Sequence, residues 1–194
     1  MANARARLLA LLAQKSFRLG NFKLSSGGTS DYYIDCRLTT LDAAGAVATG
    51  EAVVEEIRER GWPATAIGGL TMGADPIVVA TSVISAQQGA PIHGFLVRKA
   101  EKAHGTGQRI EGFREQGARV VIVDDVCTTG ASTIQAIAAA REYGFEVVGV
   151  LCLVERQEAG GRSNVEAAAA PAPFVALFTA NDVRAEHVKI LGTK

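Results

Sequence analysis

An α/β fold is predicted, with a mostly parallel sheet covered by helices on both faces. Three observations predict it. Short apolar, β-branched runs alternate with helix-length segments along most of the chain. The length, 194 residues, suits one domain and can bury roughly 70% of its unfolded surface without a disulfide or metal staple. Hydrophobic residues make 48% and charged residues 21%, a globular composition and the wrong one for disorder.

Residues 2–15 are helical by period. Phe22–Leu24 and Tyr32–Asp35 read as short strands around a Ser-Ser-Gly-Gly turn. Asp42 can cap a long helix to about Arg60, and Gly61 stops it. Thr65–Ile67 is a short buried strand ending in Gly68-Gly69. Asp75-Pro76 reads as a cap followed by a first-turn proline, opening a helix through about Gln88. Ile92–Val97 is a strand. Residues 99–117 hold charges and glycines without periodicity. Val120–Val123 is a β-branched strand, and helix 131–143 ends at Gly144. Val147–Val154 and Phe174–Phe178 are further strands. Residues 158–173, with Gly160-Gly161 and an Ala/Pro stretch, read as a loop or irregular cover. Ligands of such sheets bind at the carboxyl ends of strands, so the loops after residues 67, 97, 123 and 154 are the places to inspect.

Charge and cysteine content narrow the class. Lys+Arg and Asp+Glu both number 20, which argues against a nucleic-acid binder working by bulk charge. Aromatics at 6% leave little for stacking single-stranded bases. Cys36, Cys127 and Cys152 are few, odd in number and far apart, so neither a zinc site nor a disulfide framework is suggested. The N-terminal stretch places arginines among alanines and leucines and reads as an amphipathic helix rather than a signal peptide. No apolar run approaches a membrane span. A cytoplasmic protein bound to neither membrane nor nucleic acid is expected.

The strongest chemical signal is Val120-Val-Ile-Val-Asp-Asp-Val-Cys-Thr-Thr-Gly-Ala-Ser-Thr133. A buried strand delivers two adjacent carboxylates, and a small-residue loop then feeds a helix N-terminus. Backbone N–H groups and the hydroxyls of Thr128, Thr129, Ser132 and Thr133 can wrap a phosphate, helped by the helix dipole. Carboxylates beside a phosphate repel it, unless Asp124 and Asp125 address sugar hydroxyls or a Mg2+ ion. A sugar phosphate satisfies both halves. Neither Gly-Lys-Ser/Thr nor a GxGxxG pattern is present.

This segment resembles the phosphoribosyl pyrophosphate (PRPP) motif of type I phosphoribosyltransferases. The resemblance implies a Rossmann-like sheet with a small N-terminal hood, a 5-phosphate held at residues 128–132, and ribose hydroxyls near Asp124 and Asp125. A second signal is Arg98-Lys99-Ala-Glu-Lys102-Ala-His104-Gly105 followed by Gly107 and Ile110-Glu-Gly112. A long glycine-jointed basic loop leaving a buried strand suits a lid over a leaving pyrophosphate, which needs cations that arrive with it.

Here the resemblance narrows to the orotate phosphoribosyltransferase family, whose catalytic loop this stretch looks like. Phe22-Lys-Leu-Ser-Ser-Gly-Gly-Thr-Ser-Asp-Tyr-Tyr-Ile-Asp35 is similar to its substrate-covering motif, Gly68–Pro76 to its pyrophosphate loop, and Val154-Glu-Arg156-Gln-Glu158 to its orotate-side motif. The matches run in family order from residue 22 to 158.

The resemblance implies the following roles. Arg98, Lys99, Lys102 and His104 bind pyrophosphate, with Lys102 catalytic. Asp124 and Asp125 also serve catalysis. Asp124, Asp125, Val126, Cys127, Thr128, Thr129, Gly130, Ala131 and Ser132 bind the ribose 5-phosphate portion, and Thr128 and Arg156 contact orotate. Mg2+ is the expected cofactor, held mainly by PRPP and not by a protein metal site. The partners are orotate and PRPP, together with a second copy in a homodimer with shared active sites. The chain is expected to be one domain over 1–194, with a hood at 1–40, a core at 41–194 and a lid at 99–112. Many family members carry lysine at the position of Ser25; here Lys23 points by alternation to the same face. Some carry lysine where Met72 stands, so this loop is expected to rely on backbone N–H groups and Thr71. Of the Tyr32-Tyr33 pair, either core packing or cover for a flat pyrimidine is open. His93 is expected to be a packed or edge residue and His187 a surface one. A purine phosphoribosyltransferase and a PRPP-sensing regulator are the alternatives.

Overall fold

The computed structural model describes residues 3–23, 28–99 and 109–192. Its centre is a six-stranded sheet in the order β5-β4-β3-β6-β7-β8. These strands are β3 (Ala66–Leu70), β4 (His93–Val97), β5 (Ile110–Gly112), β6 (Arg119–Cys127), β7 (Glu146–Glu155) and β8 (Phe174–Thr179). All neighbours pair parallel except β5, which runs antiparallel against β4 at the edge. The switch in order lies between β3 and β6, where the carboxyl ends open a crevice.

Alternation along β6 sends successive side chains to opposite faces. Val121 and Val123 join a core with Leu8, Leu12, Val53, Ile57 and Ile77, from α1 (Ala4–Leu11) and the turn that follows it, α3 (Ala43–Glu59) and α4 (Asp75–Gln87). Val120 and Ile122 join a second core with Ile137 of α5 (Ala131–Tyr143) and Val165 of α6 (Gly161–Ala169). A short helix α2 (Arg37–Thr40) and the last helix α7 (Ala180–Gly192) complete the first layer.

The N-terminal region forms a separate two-stranded antiparallel ribbon, β1 (Phe17–Lys23) with β2 (Thr29–Ile34). Phe17 stacks on Tyr32 with ring centroids 5.4 Å apart, and both belong to the first core. An Arg184–Asp31 ion pair ties the ribbon to α7.

The stop signals behave as the sequence predicts. Asp42 accepts from the Gly45 N–H at 3.0 Å, and Gly61 and Gly144 close their helices at φ 63° and 100°. Other expectations need correction. Asp75 is not a cap: it is the first residue of α4, the cap position is Ala74, and no side chain caps it. Residues 158–173 are not a loop but contain a 3-10 turn, Gln157–Ala159, and α6. Gly160 at φ 68° lets the chain reverse there, and Val165 and Ala169 give α6 a buried stripe too short for its period to stand out. The stretch 99–117 contains β5. The strand expected at Val120–Val123 continues to Cys127, carrying the acidic pair with it. The first helix ends in a π turn, Leu12–Ser16. His187 is half-buried rather than on the surface: its Nδ1 lies 2.7 Å from the Ala13 carbonyl and its ring packs on Phe17. His93, at the start of β4, is a packed residue as expected, stacked on Phe113.

Candidate active site

The carboxyl ends of β3, β4, β6 and β7 meet β2 around a cleft of about 980 Å³. Asp124 and Asp125 form its floor, yet they differ. Asp124 is buried. Its Oδ2 accepts from the Thr133 hydroxyl at 2.9 Å and its Oδ1 from the Asp125 N–H at 3.0 Å. Burial and the neighbouring Asp125 charge push its carboxyl up to about 7. Asp125 is less buried. Its Oδ1 accepts from the Val126 N–H at 2.8 Å, and burial raises its pKa while the Arg37 charge opposes the rise. Glycine makes room for the pair: a Cβ on Gly73 would lie 2.5 Å from Asp125 Oδ1.

The loop after β6 is built to receive an anion. Among the described residues, the N–H groups of Thr128, Thr129 and Gly130 meet no backbone acceptor, and the helix α5 begins at once behind them. Gly130 takes φ 80°, a left-handed conformation that turns the loop into α5. Gly161 lets α6 press against the loop, since a Cβ there would lie 2.2 Å from the Thr128 carbonyl. Across the cleft, the turn after β3 presents Thr71, Met72 and Gly73. Among the described residues neither the Met72 nor the Gly73 N–H meets a backbone acceptor, whereas that of Thr71 is taken by the Val97 carbonyl.

Of the residues predicted from sequence, Lys99, Asp124, Asp125, Val126, Thr128, Thr129, Ser132 and Arg156 all line this cleft. Cys127 is buried beneath it, in the core with Ile137 and Val165. Its carbonyl accepts from the Arg156 N–H at 2.9 Å. Gly130 is buried at the turn, and Ala131 starts the helix away from the lining. Arg98 pairs with Glu111 at 3.5 Å, beside the cleft. Lys102 and His104 lie outside the described residues, as does Ser25. Lys23 lines the cleft.

The tyrosine pair divides. Tyr32 is buried, while Tyr33 is 45% exposed and lines the cleft. Sequence reasoning missed Arg37, which grips Asp35 through Nε and Nη2 at 2.9 and 3.0 Å and also lines the cleft. It sits on a four-residue helix that leaves no periodic signal. Glu158 was quoted only as part of a motif; it too lines the cleft.

Paired carboxylates at a strand end, an anion-receiving loop and a crevice at the switch point define a type I phosphoribosyltransferase. In agreement, the family model of the phosphoribosyl transferase domain matches residues 49–168. Orotate phosphoribosyltransferase of Aquifex aeolicus is 44% identical over 165 residues, 84% of this chain and 88% of that protein. That of Thermosynechococcus vestitus is 42% identical over 186 residues, 95% of each. The solved Mycobacterium tuberculosis orotate phosphoribosyltransferase in complex with PRPP superimposes with a TM-score of 0.76 at 34% identity, covering 93% of this chain and 99% of that one. The chain belongs to the orotate phosphoribosyltransferase family.

Proposed function

We infer that the protein transfers the 5-phosphoribosyl group of PRPP to orotate, giving orotidine 5′-monophosphate and pyrophosphate, in pyrimidine biosynthesis. The observation that carries this reading is the convergence, in one cleft, of an acidic pair, a phosphate-receiving loop and the fork of Arg156. The phosphate loop holds the 5-phosphate through its N–H groups and the α5 dipole. Asp124 and Asp125 accept from the ribose hydroxyls. Thr128 and Arg156 bind orotate, whose planar oxygens match a guanidinium fork.

Displacement at the anomeric carbon proceeds with bond-breaking ahead of attack, so the sugar gains oxocarbenium character. The attacking ring nitrogen of orotate gives up its proton as it bonds to the anomeric carbon, and the departing pyrophosphate oxygens can take that proton, so no strong protein base is needed. The protein therefore contributes positioning and charge stabilisation. Arg98, Lys99, Lys102 and His104 neutralise the leaving pyrophosphate. The lid 99–112 excludes water that would hydrolyse PRPP.

The family implies Mg2+, which supplies charge neutralisation on the pyrophosphate oxygens. Among the described residues no group of three or more His, Cys, Asp or Glu side chains could enclose a metal. Two hard carboxylates do line the cleft. That donor set fits a cation carried mainly on the oxygens of PRPP, approaching the acidic floor with it.

The same reading takes residues 1–40 as a hood on a core formed by 41–194, and the working unit as a homodimer with shared sites. An apolar face with exposed Leu38, Leu41, Val47, Met72, Val79 and Val83 supports a second copy there. It shares Asp35, Arg37 and Met72 with the cleft, so a partner on it would stand at the site's edge. We place the enzyme in the cytoplasm, which three buried, free cysteines suit. Among the described residues no helix is long and apolar enough to cross a membrane.

The test is loss of orotate absorbance when PRPP and Mg2+ are added to purified protein. Turnover on hypoxanthine, adenine or uracil with none on orotate would defeat the reading.

A further inference from the structure

The guanidinium of Arg156 has two donor edges, and among the described residues only one of them meets a partner. On the edge formed by Nε and Nη2, Nε donates to the Tyr32 hydroxyl at 3.0 Å and to Glu158 Oε1 at 3.1 Å. Nη2 donates to the Ser30 hydroxyl at 3.2 Å. The Tyr32 hydroxyl in turn donates to Glu158 Oε1. Burial and Glu158 push the Tyr32 phenol up to about 12, so it keeps the proton it donates. Glu158 is held below its usual range by its donors, Tyr32 first, and stays charged. The guanidinium carbon also stands 4.7 Å from the centroid of the Tyr32 ring. Tyr32 itself is fixed by stacking on Phe17.

A side chain with four rotatable bonds is thereby held at the one edge that faces the ribbon. The other edge, Nη1 with the second Nη2 proton, is left for the cleft that Arg156 lines. We propose that Tyr32 and Glu158 are positioning residues that clamp the Nε edge of Arg156, so that its Nη1/Nη2 edge is presented ready-oriented to a planar, oxygen-bearing substrate. Both partners are needed because the phenol hydroxyl accepts from Arg156 while donating to Glu158, which locks the tyrosine rotor as well as the arginine. The arrangement also makes the hood ribbon part of substrate selection: two of the three clamping groups, Ser30 and Tyr32, belong to β2. This rests on the reading that Arg156 receives orotate.

Tyr32→Phe keeps the ring, its stack on Phe17 and its face toward the guanidinium, and removes only the hydroxyl. Loss of one charge-assisted hydrogen bond should raise the KM for orotate about tenfold. The KM for PRPP and the thermal midpoint should stay unchanged. Glu158→Ala should raise the same KM, and Glu158→Gln, whose amide oxygen can still accept from Nε, should raise it less. In an Arg156→Lys background, which has no Nε edge, Tyr32→Phe should have no further effect. Equal losses for orotate and PRPP, or additive losses in the double variant, would overturn the clamp and leave a structural role only. Arg156→Ala separates the two levels. If it leaves the KM for orotate unchanged, the reading of Arg156 and the clamp both fall. If it raises that KM while Tyr32→Phe and Glu158→Ala do not, the clamp alone falls.

Discussion

Asp124 and Asp125 are neighbours of one chemistry in unlike surroundings. Asp124 is walled in and bonded to Thr133, while Asp125 is the more open and sits against Gly73. Asp125→Asn should therefore weaken PRPP binding directly, read by calorimetry. Asp124→Asn should act more through the loop and the first turn of α5, where Thr133 lies, lowering kcat with a smaller effect on PRPP affinity. Two variants with wild-type rate and affinity would reduce the pair to a capping feature. The free protein also carries a pH signature. Asp124 titrates near 7 when folded against an ordinary 3.8. Between those values the folded chain holds a proton that the unfolded chain has released. Stability must then fall as pH rises from about 4 to about 7. Urea midpoints at pH 5 and pH 7.5 should differ less in Asp124→Asn than in wild type, and an equal difference would mean that Asp124 ionises normally. The acidic pair was legible because two carboxylates at the end of a β-branched run are rare without a job. The inequality between them was only half legible: alternation says they face different ways, but burial depends on helix α5 above them. Arg37 was not legible, since its place depends on Asp35 and on a helix of one turn.

At the scale of elements, the anion-receiving loop depends on a helix that the sequence did not announce. The α6 helix approaches the loop at Gly161, where even a methyl group would meet the Thr128 carbonyl at 2.2 Å. Thr128 and Thr129 are thus pressed from behind by α6 and continued in front by α5. Gly161→Ala must displace backbone, and overpacking of this kind costs about 1–3 kcal/mol. The expected result is a lower denaturation midpoint together with weaker PRPP binding. Unchanged PRPP affinity would show that the loop keeps its shape without α6. The strands of the parallel sheet, the helices α3, α4 and α5 and their stops were readable because period, apolar runs and glycine stops agreed with one another. Helix α6 was not, because a nine-residue segment rich in alanine and next to prolines has too few apolar residues to show a stripe. Strand β5 was hidden for a similar reason: three residues at a sheet edge carry almost no pattern.

For the whole molecule, Lys102 of the lid and the acidic floor that faces ribose are proposed to come from different subunits. Family membership decides between the readings that the motifs left open, a purine enzyme and a PRPP-sensing regulator, but the sharing of sites is a separate claim. Arg37 lines both the cleft and the exposed apolar face, Lys99 lines the cleft, and clustered cations repel one another until an anion arrives. Lys102→Ala should cut the rate about a hundredfold or more, the scale of losing one charge-stabilising donor, while leaving the thermal midpoint in place. Mixed with an inactive Asp125 variant, it makes heterodimers in which one site carries both defects and the other neither, provided that each lysine serves its partner's site. Activity should then return on mixing, toward one intact site per heterodimer. Subunit exchange can be followed by mass spectrometry of differently tagged copies. If exchange is complete and the mixture stays inactive, Lys102 works within its own subunit, and the cleft is a whole site in each copy.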